Sequence, residues 1–151
     1  MRATLHALLL ALLTGLGLAG CGTTPAHAPG EEMVFQQEIA VPNTVMPYEE
    51  LDNQPALLNE DEVRHSTAWK QFSRAIWSKY FGENTFVYHV LLYVDEEGNV
   101  INAQVVQANS NQAHGMLLKA CRQYRFEPGL KNGQPVKYYT LKPVSMLVSN
   151  Y

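Results

Sequence analysis

Phe86-Val87-Tyr88-His89-Val90-Leu91-Leu92-Tyr93-Val94 runs directly into Asp95-Glu96-Glu97-Gly98-Asn99, and Val100 to Gln107 follows. The first nine residues are aromatic, β-branched or aliphatic, with His89 the exception. Both alternating faces are apolar, which predicts a strand covered on both sides. Asp95 to Asn99 is short and polar, and Gly98 can take a positive φ, so it reads as a hairpin loop. Val100 to Gln107 alternates, with Ile101, Ala103 and Val105 on one face and Asn102 and Gln104 on the other. It reads as the returning strand.

Upstream of the hairpin, Asn59 to Tyr80 predicts a helix. Val63, Trp69, Phe72, Ile76 and Tyr80 recur at helical spacing. Asn59 with Glu62 three residues on has the form of a capping box, and Gly82 suits the stop. Downstream, Ala113 to Tyr124 predicts a second helix with Leu117, Cys121 and Tyr124 inward. Arg125 to Gly129 ends it, and Lys131-Asn132-Gly133-Gln134 is a turn. Val136 to Val148 reads as the last strand, and Pro143 within it argues for an edge or a bulge. The order implies an α+β domain over residues 56–151, a small antiparallel three-stranded sheet with two packed helices. Residues 34–55 read as an extended lead-in crossing the domain surface. Val34, Phe35, Ile39 and Val41 suggest a short strand, and prolines at 42, 47 and 55 break anything longer.

The N-terminus has another character. Arg2 precedes a mostly apolar run from Ala3 to Ala19, which ends in Leu18-Ala19-Gly20-Cys21. That is the layout of a secretory signal. An ordinary cleaved signal with Cys21 incidental, or an uncleaved membrane helix, would also carry such a run, although a span needs about 20 apolar residues. The small residues before Cys21 resemble the lipobox of bacterial lipoproteins. The resemblance implies removal of residues 1–20 and acylation of Cys21, by palmitate or a similar chain. Residues 21–33 would then be a flexible tether. Each buried CH₂ of an acyl chain contributes about 0.8 kcal/mol, so several chains anchor stably. Such proteins belong to the bacterial cell envelope. Gly22, where an aspartate would suggest inner-membrane retention, favours an outer-membrane anchor facing the periplasm.

The 151-residue chain holds 11 basic and 14 acidic residues, a formal net charge of −3. Without a basic cluster, nucleic acid is not an expected partner. If Cys21 carries lipid, Cys121 has no partner for a disulfide and reads as a small buried hydrophobe. His27, His65, His89 and His114 form no ligand pair, so neither a metal nor a cofactor is expected. His89 reads as a half-buried sheet residue, and Glu96 and Glu97 as a solvated turn. Ser110 lacks a nucleophile-elbow context. No catalytic constellation emerges.

Taken together, Leu57-Leu58-Asn59, Val94-Asp95-Glu96-Glu97-Gly98-Asn99-Val100, Arg125-Phe126-Glu127-Pro128-Gly129, Asn132-Gly133-Gln134-Pro135-Val136 and Leu141-Lys142-Pro143-Val144-Ser145-Met146 resemble the C-terminal domain of the TonB family. The resemblance spans roughly residues 50 to 149. It implies that the last strand receives a short segment from an outer-membrane receptor. Phe126 and Pro128 are expected to pin the second helix against the sheet. The family's inner-membrane helix and long proline-rich spacer have no counterpart in the sequence, and the stretch within the tether that lacks any large apolar residue, Gly22 to Gly30, about 9 residues, reaches only some 15–18 Å. The family's Tyr-Pro near the end of the first helix is missing, and Leu117-Leu118 replaces a Leu-Asp. These departures point away from energy transduction.

The aromatic residues Trp69, Trp77, Tyr138 and Tyr139 are candidates for an interaction surface. An edge strand presents unpaired backbone groups to which a partner segment can add. The candidate contacts are Val136, Tyr138, Tyr139, Leu141, Val144 and Met146, with Tyr138 and Tyr139 facing opposite sides of the sheet. The leading expectation is a non-enzymatic, lipid-anchored module binding an envelope protein by strand addition, or forming a homodimer through the same edge. The alternatives are a component or modulator of TonB-dependent transport and, from another class, a periplasmic hydrolase.

Overall fold

The structure, a computed structural model, describes residues 35–79 and 83–149. The signal segment, Cys21, His27, the tether, Val34, Tyr80 and Gly82 lie outside the described residues. The domain is α+β. Its elements in chain order are β1 (Phe35–Gln36), β2 (Met46–Pro47), a 3₁₀ turn (Tyr48–Glu50), α1 (Glu60–His65), α2 (Thr67–Trp77), β3 (Asn84–Val94), β4 (Val100–Ala108), α3 (His114–Cys121), β5 (Leu130–Lys131), β6 (Gln134–Pro135) and β7 (Tyr138–Val148).

The sheet is larger than the three strands expected. Its order is β1-β4-β3-β7-β2. The long strands β4, β3 and β7 form the antiparallel centre, and the lead-in adds a two-residue strand at each edge. β2 runs parallel to β7, so the sheet is mixed. Turn residues explain the small second hairpin, β5-β6. Asn132 and Gly133 both have positive φ, as a two-residue turn between strands requires.

The expected single helix over 59–80 is broken at Ser66, which is extended (φ −67°, ψ 158°). Its hydroxyl accepts from the Trp69 N–H and caps α2, a competition with the backbone to which serine is suited. Asn59 does not cap α1. Its side-chain amide instead donates to the Gln123 carbonyl and accepts from the Arg125 N–H, tying the start of α1 to the exit of α3. α3 is also shorter than expected, because Ala113 takes a left-handed conformation before it (φ 57°). Tyr124, beyond the helix, is still buried.

One face of the sheet packs on the helices. Phe86, Tyr88, Val90, Leu92 and Val94 of β3, with Tyr138, Val144 and Val148 of β7, meet Val63, Trp69, Phe72 and Ile76 of α1 and α2 and Leu117 and Cys121 of α3. Burial pushes the Cys121 thiol up to about 12. Register shifts in β4 leave Ile101 and Val106 without a direct partner on β3. These two irregularities turn the strand, so Val100 rather than Ile101 joins the core, and Ile101 is 56% exposed.

The β3-β4 loop is held by Asp95, whose carboxylate accepts from the Glu97 and Asn99 N–H groups and the Asn99 amide. Gly98 (φ 87°) lies beneath the chain at Phe126, whose N–H donates to the Gly98 carbonyl at 2.8 Å. A Cβ on Gly98 would overlap the Phe126 carbonyl oxygen, so positive φ and close approach both demand glycine. Gly98→Ala is expected to lose about 3 kcal/mol or more in urea unfolding. Gly115→Ala, in α3 where a Cβ meets nothing within 4 Å, is expected to gain about 0.4–1 kcal/mol.

Candidate interaction surface

β7 is tied to β3 along its whole length, in unbroken register from Tyr138↔Val94 to Val148↔Asn84. Backbone groups alternate direction along a strand. The Met46 N–H donates to the Lys137 carbonyl, and in the parallel register the Tyr139 N–H faces β2. Odd-numbered residues of β7 therefore turn their backbone groups away from β3. Pro143 is one of them, so its missing N–H costs the β3 ladder nothing. From Thr140 to Val148 no strand lies on the outer side of β7 among the described residues.

The six candidate residues divide by position. Val136 precedes β7 and donates to the Gly129 carbonyl. Tyr138 is fully buried, with its ring against Tyr48 and Phe126 and tight over Gly129. Tyr139 is on the opposite face against Tyr93, with ring centroids 6.5 Å apart. Val144 is in the core and Met146 packs on it. Leu141 alone among the six is well exposed, at 53%. A partner strand would thus meet backbone at the edge and side chains chiefly on the face of Leu141 and Leu147.

That face is the one without helices. Leu91 pairs across to Leu141, Tyr93 to Tyr139 and His89 to Pro143. Its cover at the Tyr93 end is the lead-in, whose Ala40, Pro42 and Val45 line a cavity of about 340 Å³ with Tyr93, Ile101 and Lys137. Sequence reading expected a lead-in crossing the domain surface, but not which face it covers. The one available signal was Ile39, Val41 and Val45, apolar residues in a stretch too broken by proline to form a long strand.

On the helix side, Glu60 of α1 bonds both Arg64 (2.9 Å) and Lys142 of β7 (3.2 Å). Burial would raise the Glu60 carboxyl, but the bonds from Arg64 and Lys142 outweigh it and hold the group below its ordinary value. Arg64 also lies over the Trp69 ring, and Lys142 over Tyr124. Trp69 belongs to the core, whereas Trp77 is 45% exposed.

The remaining candidates lie apart. His65 Nδ1 is 2.7 Å from the Asp61 carbonyl, His89 Nδ1 is 2.8 Å from Gln107 Oε1, and His114 Nε2 is 2.8 Å from the Ser110 carbonyl. Ser110 is buried, and its hydroxyl accepts from the Gln112 N–H. Glu96 and Glu97 are exposed at the turn. Phe126 is buried against Tyr138, but Pro128 is exposed and offers its carbonyl to Asn53. Among the described residues no group of three or more His, Cys, Asp or Glu is placed to hold a metal ion. No described helix is long and apolar enough to cross a membrane. In comparisons with known proteins, the chain matches no family model, no curated protein and no solved structure.

Glu60 has its counterpart in Asp95. Burial raises that carboxyl, and the bonds from Asn99, Glu97 and Gly98 lower it further than burial lifts it. A carboxyl depressed by folding adds stability above its unfolded value and loses it as pH falls through the folded one. The melting temperature is therefore expected to hold from neutral pH toward 5 and to fall once pH drops below the ordinary values of 4.5 and 3.8. Glu60→Gln should flatten that fall. Its cost at neutral pH should be about 1 kcal/mol or less, as for partly exposed ion pairs.

Proposed function

We propose that this chain is a non-enzymatic lipoprotein of the bacterial envelope, anchored through Cys21. Its domain, of the TonB C-terminal type, takes an extended segment of a partner protein as an added strand on β7. The observation that carries this reading is the outer edge of β7 from Leu141 to Leu147. It has backbone donors and acceptors with no strand beside them among the described residues, and leucines 53% and 55% exposed at its two ends. Backbone pairing supplies affinity in this mode, and the flanking side chains supply selection.

The TonB-type part of the reading draws support from one junction. Leu57 bridges Phe126, Asn99 bridges Arg125, and the Phe126 N–H meets Gly98. Three motifs far apart in sequence thus meet in one place, as parts of a shared fold would. A second reading, a component or modulator of TonB-dependent transport, uses the same edge and differs in its partner, a segment of an outer-membrane receptor.

Two outcomes test the proposal. Cys21→Ser is expected to move the protein from the membrane fraction to the soluble fraction, and the mature wild-type chain should begin with an acylated Cys21 by mass spectrometry. Persistence of the serine variant in membranes would remove the anchor from the reading. Ser145→Pro takes away one outward N–H, as Pro143 does naturally, and leaves the ladder to β3 intact. The full-length variant should melt within a few degrees of wild type yet capture its partner from detergent extracts of envelope membranes about tenfold less. Equal capture by a folded variant would eliminate strand addition at this edge.

A further inference from the structure

The lead-in touches both outer edges of the sheet. Gln37 donates to the Val106 carbonyl and β1 lies along β4; β2 lies along the start of β7. Between them, residues 38–45 cross the face that lacks helices. Met46 packs on the core and Ile39, Val41 and Val45 are half-buried, but the backbone hold of the segment is slight. Each of the two short strands has two residues, and Gln37, Glu38, Ala40, Pro42, Asn43 and Thr44 are exposed. A solvent-open pocket of about 340 Å³ lies between them and the sheet residues Tyr93, Ile101 and Lys137. β7, by contrast, has an eleven-residue ladder to β3 that uses the opposite edge from β2. Segments open locally at a cost set by the contacts they give up, so this one can leave while the core stays folded.

We infer that residues 37–47 are a displaceable strap, and that a partner strand pairs with β7 from Tyr139 onward only after β2 has left. The inference rests on the reading of β7 as the receiving edge. With β2 in place, the outward donors left are Leu141, then Ser145 and Leu147 beyond the proline. A continuous pairing is thus cut short on both sides of Leu141. Release of the strap returns the Tyr139 N–H, so a segment can begin pairing before Pro143 rather than straddle it. It also uncovers Tyr93 and Tyr139, whose rings can receive alternate side chains of the partner. Lys137, at the rim of the cavity, comes free of the strap with them. The strap lowers apparent affinity by the fraction of molecules in which it is open.

Hydrogen exchange on the full-length chain in detergent micelles reads the opening without a partner. The Gln37, Met46 and Tyr139 amides are expected to exchange together, about 100-fold faster than those of Val90 and Val144. Exchange of Met46 and Tyr139 at the rate of Val90 would overturn the strap. A second arm uses Pro47→Cys with Tyr139→Cys, opposite each other in the register, to close the strap by a disulfide. The oxidised form should capture about tenfold less from the same membrane extract than the form reduced with dithiothreitol. Equal capture by both forms, in an assay that Ser145→Pro weakens about tenfold, would overturn the strap and leave the edge standing. Capture indifferent to Ser145→Pro and to the lock would overturn both.

Discussion

The bond from the Phe126 N–H to the Gly98 carbonyl decides where the rest of the chain can go. It seats the exit of α3 on the turn of the central hairpin. On the other side of the same crossing, Leu58 donates to the Arg125 carbonyl and Glu127 donates to the Ala56 carbonyl. The chain from Arg125 to Glu127 therefore lies between the hairpin turn and the approach to α1, with backbone bonds to both. From that seat Gly129 passes under the Tyr138 ring, and β7 starts at the β4-proximal end of β3. Were the turn displaced, α1, α3 and β7 would lose their common reference together. Buried backbone groups must be paired somewhere, and here the pairing is what assembles the layers.

The parts of this fold legible in the sequence are those governed by local pattern. The β3 run, the α2 stripe of Trp69, Phe72 and Ile76, and the inward set of Leu117, Cys121 and Tyr124 all fall where periodicity places them. What escaped depends on contacts distant in sequence. Asn59 has the chemistry of a cap, and nothing nearby says that Gln123 and Arg125 will claim its side chain. Ile101 fits the alternation perfectly, yet the irregularities in β4 shift the register and turn it outward. Ser66 is the opposite case, since the cap of α2 was visible locally but hidden inside a longer apolar stripe.

The candidate edge was legible for a related reason and incomplete for another. Pro143 in an otherwise good strand implies an outward N–H position, and the β3 register agrees. The pairing of β2 could not be read, because two residues ending in a proline carry no strand pattern of their own. They are strand by virtue of the Lys137 carbonyl they reach. The same holds for the helix-free face. Tyr93 belongs to a strand that reads as covered on both sides, and its neighbour on this face is a segment without periodicity of its own.

β7 is therefore an edge restrained by two different means. Pro143 removes a donor permanently, whereas β2 covers its end through an intramolecular contact that can be exchanged for another. Proteins use both devices to keep edges from pairing indiscriminately. A purely protective design would need no reversible element, because a second proline at Ser145 or Leu147 would blunt the edge at no cost to the β3 ladder. The outward positions instead keep serine and leucine, and the lead-in supplies the cover. Lys142 faces the other way, held to Glu60, so its charge is turned to the helix layer rather than placed on the edge as a deterrent. In the proposed role, an edge guarded by a removable segment and left chemically capable of pairing would select its partner, since only a segment that pairs better than β2 gains by displacing it.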